Sequence, residues 1–204
     1  MTEISVSQAT LNRLPVYLRY LQSLPETVKN ISATSISKGV ALGEVQVRKD
    51  LAAICGLGKP KTGYDKNVLI DSLETFMGFR DKHQAVMIGA GKLGRALLDY
   101  DFNKYGLEIV AAFDHNMDKF KNLKTNKPIY DVEDIDKVIK GKDIEIGIIT
   151  VPSKAAQEAT DMLVSKGIKA IWNFAPIRIN VPDDVFLREE SFASALANIN
   201  VRIK

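Results

Sequence analysis

Apolar residues in the second part of the chain form short runs that are separated by amphipathic segments. The runs read as buried strands and are Ala85–Ile88, Leu107–Phe113, Ile144–Val151 and Ile168–Phe174. The amphipathic segments read as helices and are Lys92–Asn103, Glu133–Lys140, Lys154–Lys166 and a last one near Glu189–Asn200. This alternation predicts an α/β domain built on a parallel sheet with crossover helices.

The first part of the chain shows only the helical period. The predicted helices are, in order, Pro15–Leu24, Thr34–Ala41, Glu44–Ile54 and 67–79. The second and third are joined by a tight turn at Gly43, and two helices around a glycine turn predict a helix-turn-helix. The loop Gly56–Tyr64 is rich in glycine and lysine and is typical of a wing. We therefore expect a winged-helix domain over residues 1–82.

Length and composition set broad limits. The 204 residues suffice for two small domains with cores of their own. The apolar runs are too short for a transmembrane helix, which takes about 20 residues, and residues 1–5 do not begin a signal-peptide pattern. The single cysteine, Cys55, excludes an internal disulfide and fits a reducing compartment. We expect a cytoplasmic protein with no membrane and no metal partner.

The positive charge is confined to the first domain. Residues 1–82 hold 11 Lys and Arg against 8 Asp and Glu, whereas residues 83–204 hold 17 of each, so the net +3 comes from the first part. This distribution makes the first domain a candidate for contact with a polyanion. Solvated lysines would give the same count, so the margin is weak evidence alone.

The sequence Gly89–Gly94 is a dinucleotide-binding fingerprint in its expected context. It reads Gly89, Ala90, Gly91, Lys92, Leu93, Gly94, follows a strand and opens a helix. Gly89 permits the turn, Gly91 lets the backbone approach a pyrophosphate, and Gly94 allows close packing of helix and strand. Asp114, 20 residues after Gly94, is placed to bind ribose hydroxyls and to repel a 2′-phosphate. We therefore predict NAD(H) as the cofactor, with His115 beside it.

Two further motifs end strands of the predicted sheet. Thr150, Val151 and Pro152 follow one strand, and Asn173, Phe174, Ala175 and Pro176 follow another. Ligands of open α/β sheets bind at this carboxyl edge.

An NAD-dependent oxidoreductase is one alternative function. It would need a catalytic acid or base and a substrate domain, but about thirty residues follow Asn173 and neither His83 nor His115 is suitably placed. We expect no catalytic residue. A module that binds coenzyme A or another nucleotide is a second alternative, which Asp114 disfavours without excluding.

Basic and amide side chains cluster near the start of the third helix. Recognition helices present such positions to base edges in the major groove, where Arg48 suits guanine and Gln46 suits adenine. Lys49 adds charge there, and Lys59 and Lys61 in the loop suit phosphates. The combination of turn, helix and basic loop favours DNA binding over a merely solvated surface.

Several motifs together resemble the Rex family of redox-sensing transcriptional repressors. They are Arg13–Leu21, Val47–Leu51, the glycine loop ending in Gly63 and Tyr64, Gly89–Gly94, Thr150–Pro152 and Asn173–Pro176. They occur in the family's order and cover nearly the whole chain.

The resemblance implies a homodimer that binds operator DNA and releases it when NADH binds. It implies a Rossmann domain at 83–185 and, at 186–204, a C-terminal helix that swaps onto the partner subunit. Residues assigned to DNA contact also include Arg13 and Tyr64. Residues assigned to the switch or to the domain junction are Arg19, Tyr100, Glu190 and Ser191, and Phe192 resembles the aromatic residue near the partner's nicotinamide. Related sequences can carry Asp at the position of Ser191, so a charged inter-domain pair with Arg19 is either missing here or supplied by Glu190.

Overall fold

The structure is a computed structural model that describes residues 6–120 and 125–203. The described residues form two compact units, which divide between Asp81 and Lys82. Each unit has its own hydrophobic core.

The first unit is a small helical domain with a minimal sheet. Its elements are α1 Gln8–Ser23, β1 Asn30–Ile31, α2 Ala33–Gly39, α3 Glu44–Cys55, β2 Tyr64–Asp65 and α4 Lys66–Phe76. Strands β1 and β2 pair antiparallel. The residues that bury one face of α1, among them Leu14, Tyr17 and Leu21, pack with Val47 and Leu51 of α3. This packing holds α3 in place on α1. Because α3 follows α2 after a short turn, it is the second helix of the predicted helix-turn-helix.

The first helix begins seven residues before Pro15, so the predicted start at that proline is wrong. The hydroxyl of Ser7 accepts a hydrogen bond from the backbone N–H of Thr10 at 3.2 Å and caps the helix. Pro15 lies inside the helix, where a proline removes one backbone hydrogen bond. Burial of the apolar face of α1 outweighs that loss.

The predicted wing is a short hairpin. Lys59 and Gly63 exchange two backbone hydrogen bonds of 2.8 Å, and Lys61 at its tip has a φ of 64°. A Cβ on Gly63 would press on the backbone of Ile31, so the position where the hairpin joins the sheet requires glycine.

The second unit is a doubly wound sheet of six parallel strands. Its strands are β3 His83–Ile88, β4 Leu107–Asp114, β5 Ile129–Asp131, β6 Ile144–Ile149, β7 Ala170–Asn173 and β8 Phe186–Glu189. Its helices are α5 Lys92–Asp99, α6 Ile135–Ile139, α7 Ser153–Ser165 and α8 Phe192–Asn200, and short 3₁₀ turns cover 103–105, 117–120 and 132–134.

The strand order is β5-β4-β3-β6-β7-β8. Counted from the first strand of this unit, it is 3-2-1-4-5-6, the order of the dinucleotide-binding fold. The order reverses between β3 and β6, and ligands of such sheets bind at that point. The strand β8 pairs with β7, with Phe186 opposite Ala170. The segment predicted as a separate element from residue 186 therefore begins inside the sheet.

Candidate functional site

The glycine loop after β3 has the geometry that a dinucleotide requires. Gly89 has a φ of +100°, and a Cβ there would lie 2.9 Å from the backbone of Thr150. A Cβ on Gly94 would press on the carbonyl oxygen of Gly89, so the start of α5 lies close against the loop. A Cβ on Gly91 would meet no atom of the described residues within 4 Å. Gly89 and Gly94 are thus needed for packing, whereas the space beside Gly91 is open to a ligand.

Hydrogen bonds hold this loop from both neighbouring strands. The hydroxyl of Thr150 donates to the carbonyl oxygen of Gly89 at 2.6 Å. From the other side, the backbone N–H of Ala90 donates to Asp114 Oδ2 at 2.9 Å. Asp114 Oδ1 accepts from the backbone N–H of Asn116 at 3.0 Å, which fixes the carboxylate at the end of β4. The glycine loop and Asp114 are therefore held in a fixed arrangement before any ligand binds.

Helix α5 begins at the same place. Its N-cap, Gly91, supplies no side-chain hydrogen bond, so the first backbone N–H groups of the helix are left for solvent or a ligand. The positive end of the helix dipole favours an anion there.

A cavity of about 900 Å³ opens at this edge of the sheet. The volume is near the upper end of the roughly 300–1,000 Å³ usual for ligand pockets. Of the predicted cofactor residues, the following line it: Gly89, Gly91, Leu93, Asp114, His115, Thr150, Val151, Pro152, Phe174, Pro176 and Phe192. Most of these side chains are apolar. The cavity therefore suits a flat, weakly polar group together with a phosphate-bearing part beside α5.

The other predicted cofactor residues support the cavity rather than line it. Ala90 and Gly94 are buried beneath the loop, and Lys92 is exposed on α5. The amide oxygen of Asn173 accepts from the N–H of Ala175 at 2.9 Å, and its amide nitrogen donates to Ile177 at 2.9 Å. Asn173 and the buried Ala175 thereby fix the loop that carries Phe174.

Sequence reasoning missed a second group of cavity residues. They are Ile88, Lys119, Val132, Ala155, Glu158, Ala159 and Met162. Val132 follows the short strand β5, and the helix α7 supplies Ala155, Glu158 and Met162 at helical spacing. The spacing along α7 was the available signal, but it equally describes a helix face packed on the sheet.

The two histidines lie apart. His115 is exposed at the cavity, with Nδ1 3.6 Å from Asp114 Oδ1. His83 begins β3, at the opposite edge of the sheet from the glycine loop, with Nδ1 2.6 Å from Glu145 Oε2. His115 therefore lines the cavity, whereas His83 does not. Among residues 6–120 and 125–203 no group of three metal-ligating side chains is seen, and no helix there is long and apolar enough to cross a membrane.

The residues assigned to the switch have local partners. Glu190 Oε1 accepts from Trp172 Nε1 at 3.1 Å and from Arg188 Nε at 3.0 Å. Ser191 caps α8 by accepting from the N–H of Ser194 at 3.1 Å. Tyr100 follows α5 with Lys104 Nζ 5.0 Å from its ring centre, and Arg19 is exposed on α1. An inter-domain role for these residues stays a prediction.

The helix α8 has no buried residue, although it carries no charge from Phe192 to Asn200. Phe192, Leu196 and Ile199 are each more than half exposed, as is Val201 beyond the helix. An exposed apolar helix of this kind marks an interaction surface. Within its own chain Phe192 lines the cavity.

In the first unit, the exposed face of α3 carries Arg48 and Lys49. Arg48 forms an ion pair with Glu44 one turn earlier. Lys59 and Lys61 are exposed on the hairpin. These four cations are exposed, and their contact with DNA stays a prediction.

Two other predicted DNA contacts are engaged with Asp50, a buried residue of α3. Arg13 donates to its carboxylate through Nε at 2.7 Å and Nη2 at 2.9 Å. Gln46 Nε2 donates to it at 2.8 Å, Tyr17 Oη at 2.7 Å and Thr10 Oγ1 at 3.2 Å. Sequence reasoning had assigned no role to Asp50.

The hydrogen bonds to Asp50 shift several pKa values. Burial alone raises the pKa of a carboxyl group, but the bonds from Arg13, Tyr17 and Gln46 outweigh it and lower the pKa of Asp50 from 3.8 to about 2. Burial, followed by the bond to the carboxylate, raises the pKa of Tyr17 to about 12. Asp50 is therefore a charged acceptor at neutral pH, and its partners are donors.

Tyr64 is a correction to the predicted DNA surface. Its ring is buried in the core of the first unit and lies against Gly58. The aromatic residue anchors the base of the hairpin because it begins β2, which pairs with β1. Cys55 is half-buried, and burial raises the pKa of its thiol, which makes it a weak nucleophile.

The two units define a class of protein in which a winged helix-turn-helix is joined to a dinucleotide-binding domain. Family models agree with this division: residues 5–52 match a putative DNA-binding protein N-terminus, and residues 80–177 match a CoA binding domain.

Whole-chain relatives identify the family. Redox-sensing transcriptional repressors Rex from Bacteroides thetaiotaomicron and Treponema denticola are each 41% identical, over 94% of this chain and 88% and 92% of their own lengths. The Rex protein of Lactobacillus acidophilus is 37% identical over 98% of this chain and 95% of its own. The chain belongs to the Rex family of redox-sensing transcriptional repressors.

Solved structures agree. A structure of RSP with β-NAD⁺ and operator DNA has a TM-score of 0.88, with 37% identity over 97% of this chain and 92% of that one. A structure of RSP with β-NADH has a TM-score of 0.85 at 37% identity, covering 97% of this chain and 94% of that one. The predicted family and fold class are confirmed. A repressor, rather than the alternative oxidoreductase, is the function that the family defines.

Proposed function

We propose that this protein represses transcription by binding operator DNA through α3 and the hairpin, and that NADH in the cavity beside Gly91 releases it. The open space at Gly91, bounded by Asp114 and the start of α5, is the observation that carries the cofactor assignment. The complexes of RSP with NADH and with NAD⁺ plus operator DNA support the same pairing of ligands. Such a regulator would act in the cytoplasm.

The apolar cavity wall favours the reduced cofactor. The nicotinamide ring of NADH is uncharged and can lie against Phe174 and Met162, whereas the cationic ring of NAD⁺ resists desolvation. NADH shifts the repressor only if it binds the form that releases DNA more tightly than the form that holds it. A coupling of about 1–3 kcal/mol would change DNA affinity roughly 5–150-fold.

The test is a DNA-binding titration of the purified protein. The probe is a duplex enriched by the protein itself from a library of randomised duplexes, measured with NADH, NAD⁺, NADPH or no nucleotide. We expect NADH alone to weaken binding strongly. Reciprocally, the duplex should weaken NADH binding by the same factor. Enrichment of no sequence, or equal DNA affinity in all four conditions, would overturn the proposal.

The homodimer is part of this proposal, because α8 exposes apolar side chains that a second copy of the chain would cover. Truncation should begin after Glu190, because removal of β8 would also damage the sheet. We expect the truncated protein to lose the dimer in light-scattering measurements and to lose its response to NADH. A truncated protein that stays dimeric would show that α8 does not hold the dimer, and an unchanged NADH response would show that α8 is not part of the switch.

A further inference from the structure

The contact between Gln46 and Asp50 constrains which base the recognition helix can read. Gln46 is the third residue of α3 and is exposed, and recognition helices contact bases through such N-terminal positions. Its side chain reaches one turn along the helix towards the C-terminus, where Nε2 donates to Asp50 Oδ1 at 2.8 Å. The amide is therefore held at one end and exposed at the other.

The chemistry of Asp50 sets the direction of that amide. An ionised carboxylate only accepts hydrogen bonds, so the nitrogen of the glutamine amide, and not its oxygen, must face it. The same carboxylate is held in place by Arg13, Tyr17 and Thr10, all from α1. Because Asp50 is only 3% exposed, solvent does not compete for it.

One N–H and the amide oxygen of Gln46 remain available. Adenine presents an acceptor at N7 and a donor at N6 in the major groove, which this pair matches; guanine presents two acceptors, N7 and O6. We propose that Asp50 is a positioning residue for base reading, which fixes the Gln46 amide in the orientation that selects adenine. The proposal rests on the proposed DNA binding by α3.

The substitution Asp50→Asn tests the direction of the amide. Asparagine can donate a hydrogen bond, so the Gln46 amide can turn over, accept through its oxygen and present two N–H groups, which suit guanine. We expect the wild-type protein to enrich adenine at one position of each half-site from randomised duplexes. Asp50→Asn should enrich adenine and guanine at that position, and Gln46→Ala should lose preference there.

Thr10→Val is the matched control. It removes another donor to Asp50 Oδ1, 3.2 Å away in the wild type, without touching the Gln46 amide. A purely structural role of Asp50 predicts that Thr10→Val and Asp50→Asn lower affinity for all duplexes alike. Positioning predicts that only Asp50→Asn changes the preferred base.

If circular dichroism shows that Asp50→Asn does not fold, a measurement on the wild-type protein tests the same proposal. The side-chain amide of Gln46 is assigned by NMR from its absence in Gln46→Ala, and one of its two protons should be shifted downfield and slow to exchange. The proposal is overturned if both amide protons of Gln46 exchange rapidly with solvent and neither is shifted downfield. It is also overturned if Asp50→Asn enriches the wild-type base, or if Gln46→Ala keeps it. A wild-type protein that enriches no sequence contradicts the proposed function instead.

Discussion

Alanine at Gly91 should leave stability nearly unchanged, whereas alanine at Gly94 should lower it. Gly91 has φ −63° and ψ −167°, angles that alanine adopts, and a Cβ there meets no protein atom within 4 Å. Gly→Ala at such a position stabilises by about 0.4–1 kcal/mol, because it reduces the entropy of the unfolded chain. Gly91 is also the N-cap of α5, where alanine is less favourable than glycine, and this cost offsets the gain. We therefore expect Gly91→Ala to melt close to the wild-type temperature.

Gly94 is inside α5, where alanine would gain about 1 kcal/mol of helix propensity. Its Cβ, however, would press on the carbonyl oxygen of Gly89 and lie 2.9 Å from Thr150 Oγ1. Overpacking of this kind costs roughly 1–3 kcal/mol, and backbone cannot move aside as a flexible side chain does. We expect Gly94→Ala to lower the melting temperature.

Gly91→Ala should nevertheless bind NADH more weakly than the wild-type protein. The added methyl group occupies the space through which the backbone approaches a pyrophosphate. At roughly 1–3 kcal/mol for a forced contact, NADH affinity should fall about 5–150-fold. The wild-type melting temperature should rise with NADH concentration, as expected for a ligand that binds only the folded state, and that rise should shrink or vanish in Gly91→Ala.

Thermal unfolding with and without NADH, together with calorimetric titration, measures both effects. Gly43→Ala is the control, since Gly43 also has open space around its Cβ but lies in the first unit. A Gly91→Ala protein that is stable and binds NADH with wild-type affinity would refute the placement of the pyrophosphate beside Gly91.

Three further predictions concern single side chains. Asp114→Asn should reduce the preference for NADH over NADPH, because a 2′-phosphate no longer meets a charge; calorimetry that shows an unchanged preference argues against that role. The lowered pKa of Asp50 contributes roughly 2 kcal/mol to the free energy of unfolding. This contribution is present above about pH 4 and is lost as the pH falls towards 2. The difference in free energy of unfolding between wild type and Asp50→Asn should therefore become smaller over that range. Amide resonances of the first unit measure unfolding, and a difference that stays constant with pH contradicts the prediction. Arg48→Ala should cost roughly 1–3 kcal/mol on the enriched duplex and relax specificity, whereas Lys61→Ala should weaken all duplexes and lower the salt slope by about 1; identical effects of the two would show that α3 does not read bases.

The sequence indicated the glycine loop and its strands because both signals are local. Gly89–Gly94 and Asp114 are separated by one helix and lie at the carboxyl ends of neighbouring parallel strands, so the fold class brings them together. The strands β5 and β8 escaped prediction, since Ile129–Asp131 is only three residues long and Phe186–Glu189 is mostly exposed. Their place in the sheet depends on neighbouring strands and not on their own composition.

Contacts across long sequence separations were the least predictable part of the candidate site. Asp50 lies 37 residues from Arg13 and 33 from Tyr17, and nothing in the helical period distinguishes a carboxylate that faces α1 from one that faces solvent. The same limitation placed Tyr64 on the DNA surface, since a tyrosine at the end of a basic loop suits either a phosphate or a core.

The position of Phe192 connects the cofactor cavity with the surface that a second subunit would cover. The residue lines the cavity and begins α8, whose other apolar side chains the described part of the chain leaves exposed. The segment before it is tied to the sheet, because Glu190 accepts from Trp172, and Trp172 contacts Phe174 of the cavity wall with ring centres 4.8 Å apart. We expect a ligand that displaces Phe174 or Phe192 to act on the base of α8 as well. Such a displacement would supply the differential contact without which no cofactor could shift a repressor between its two states.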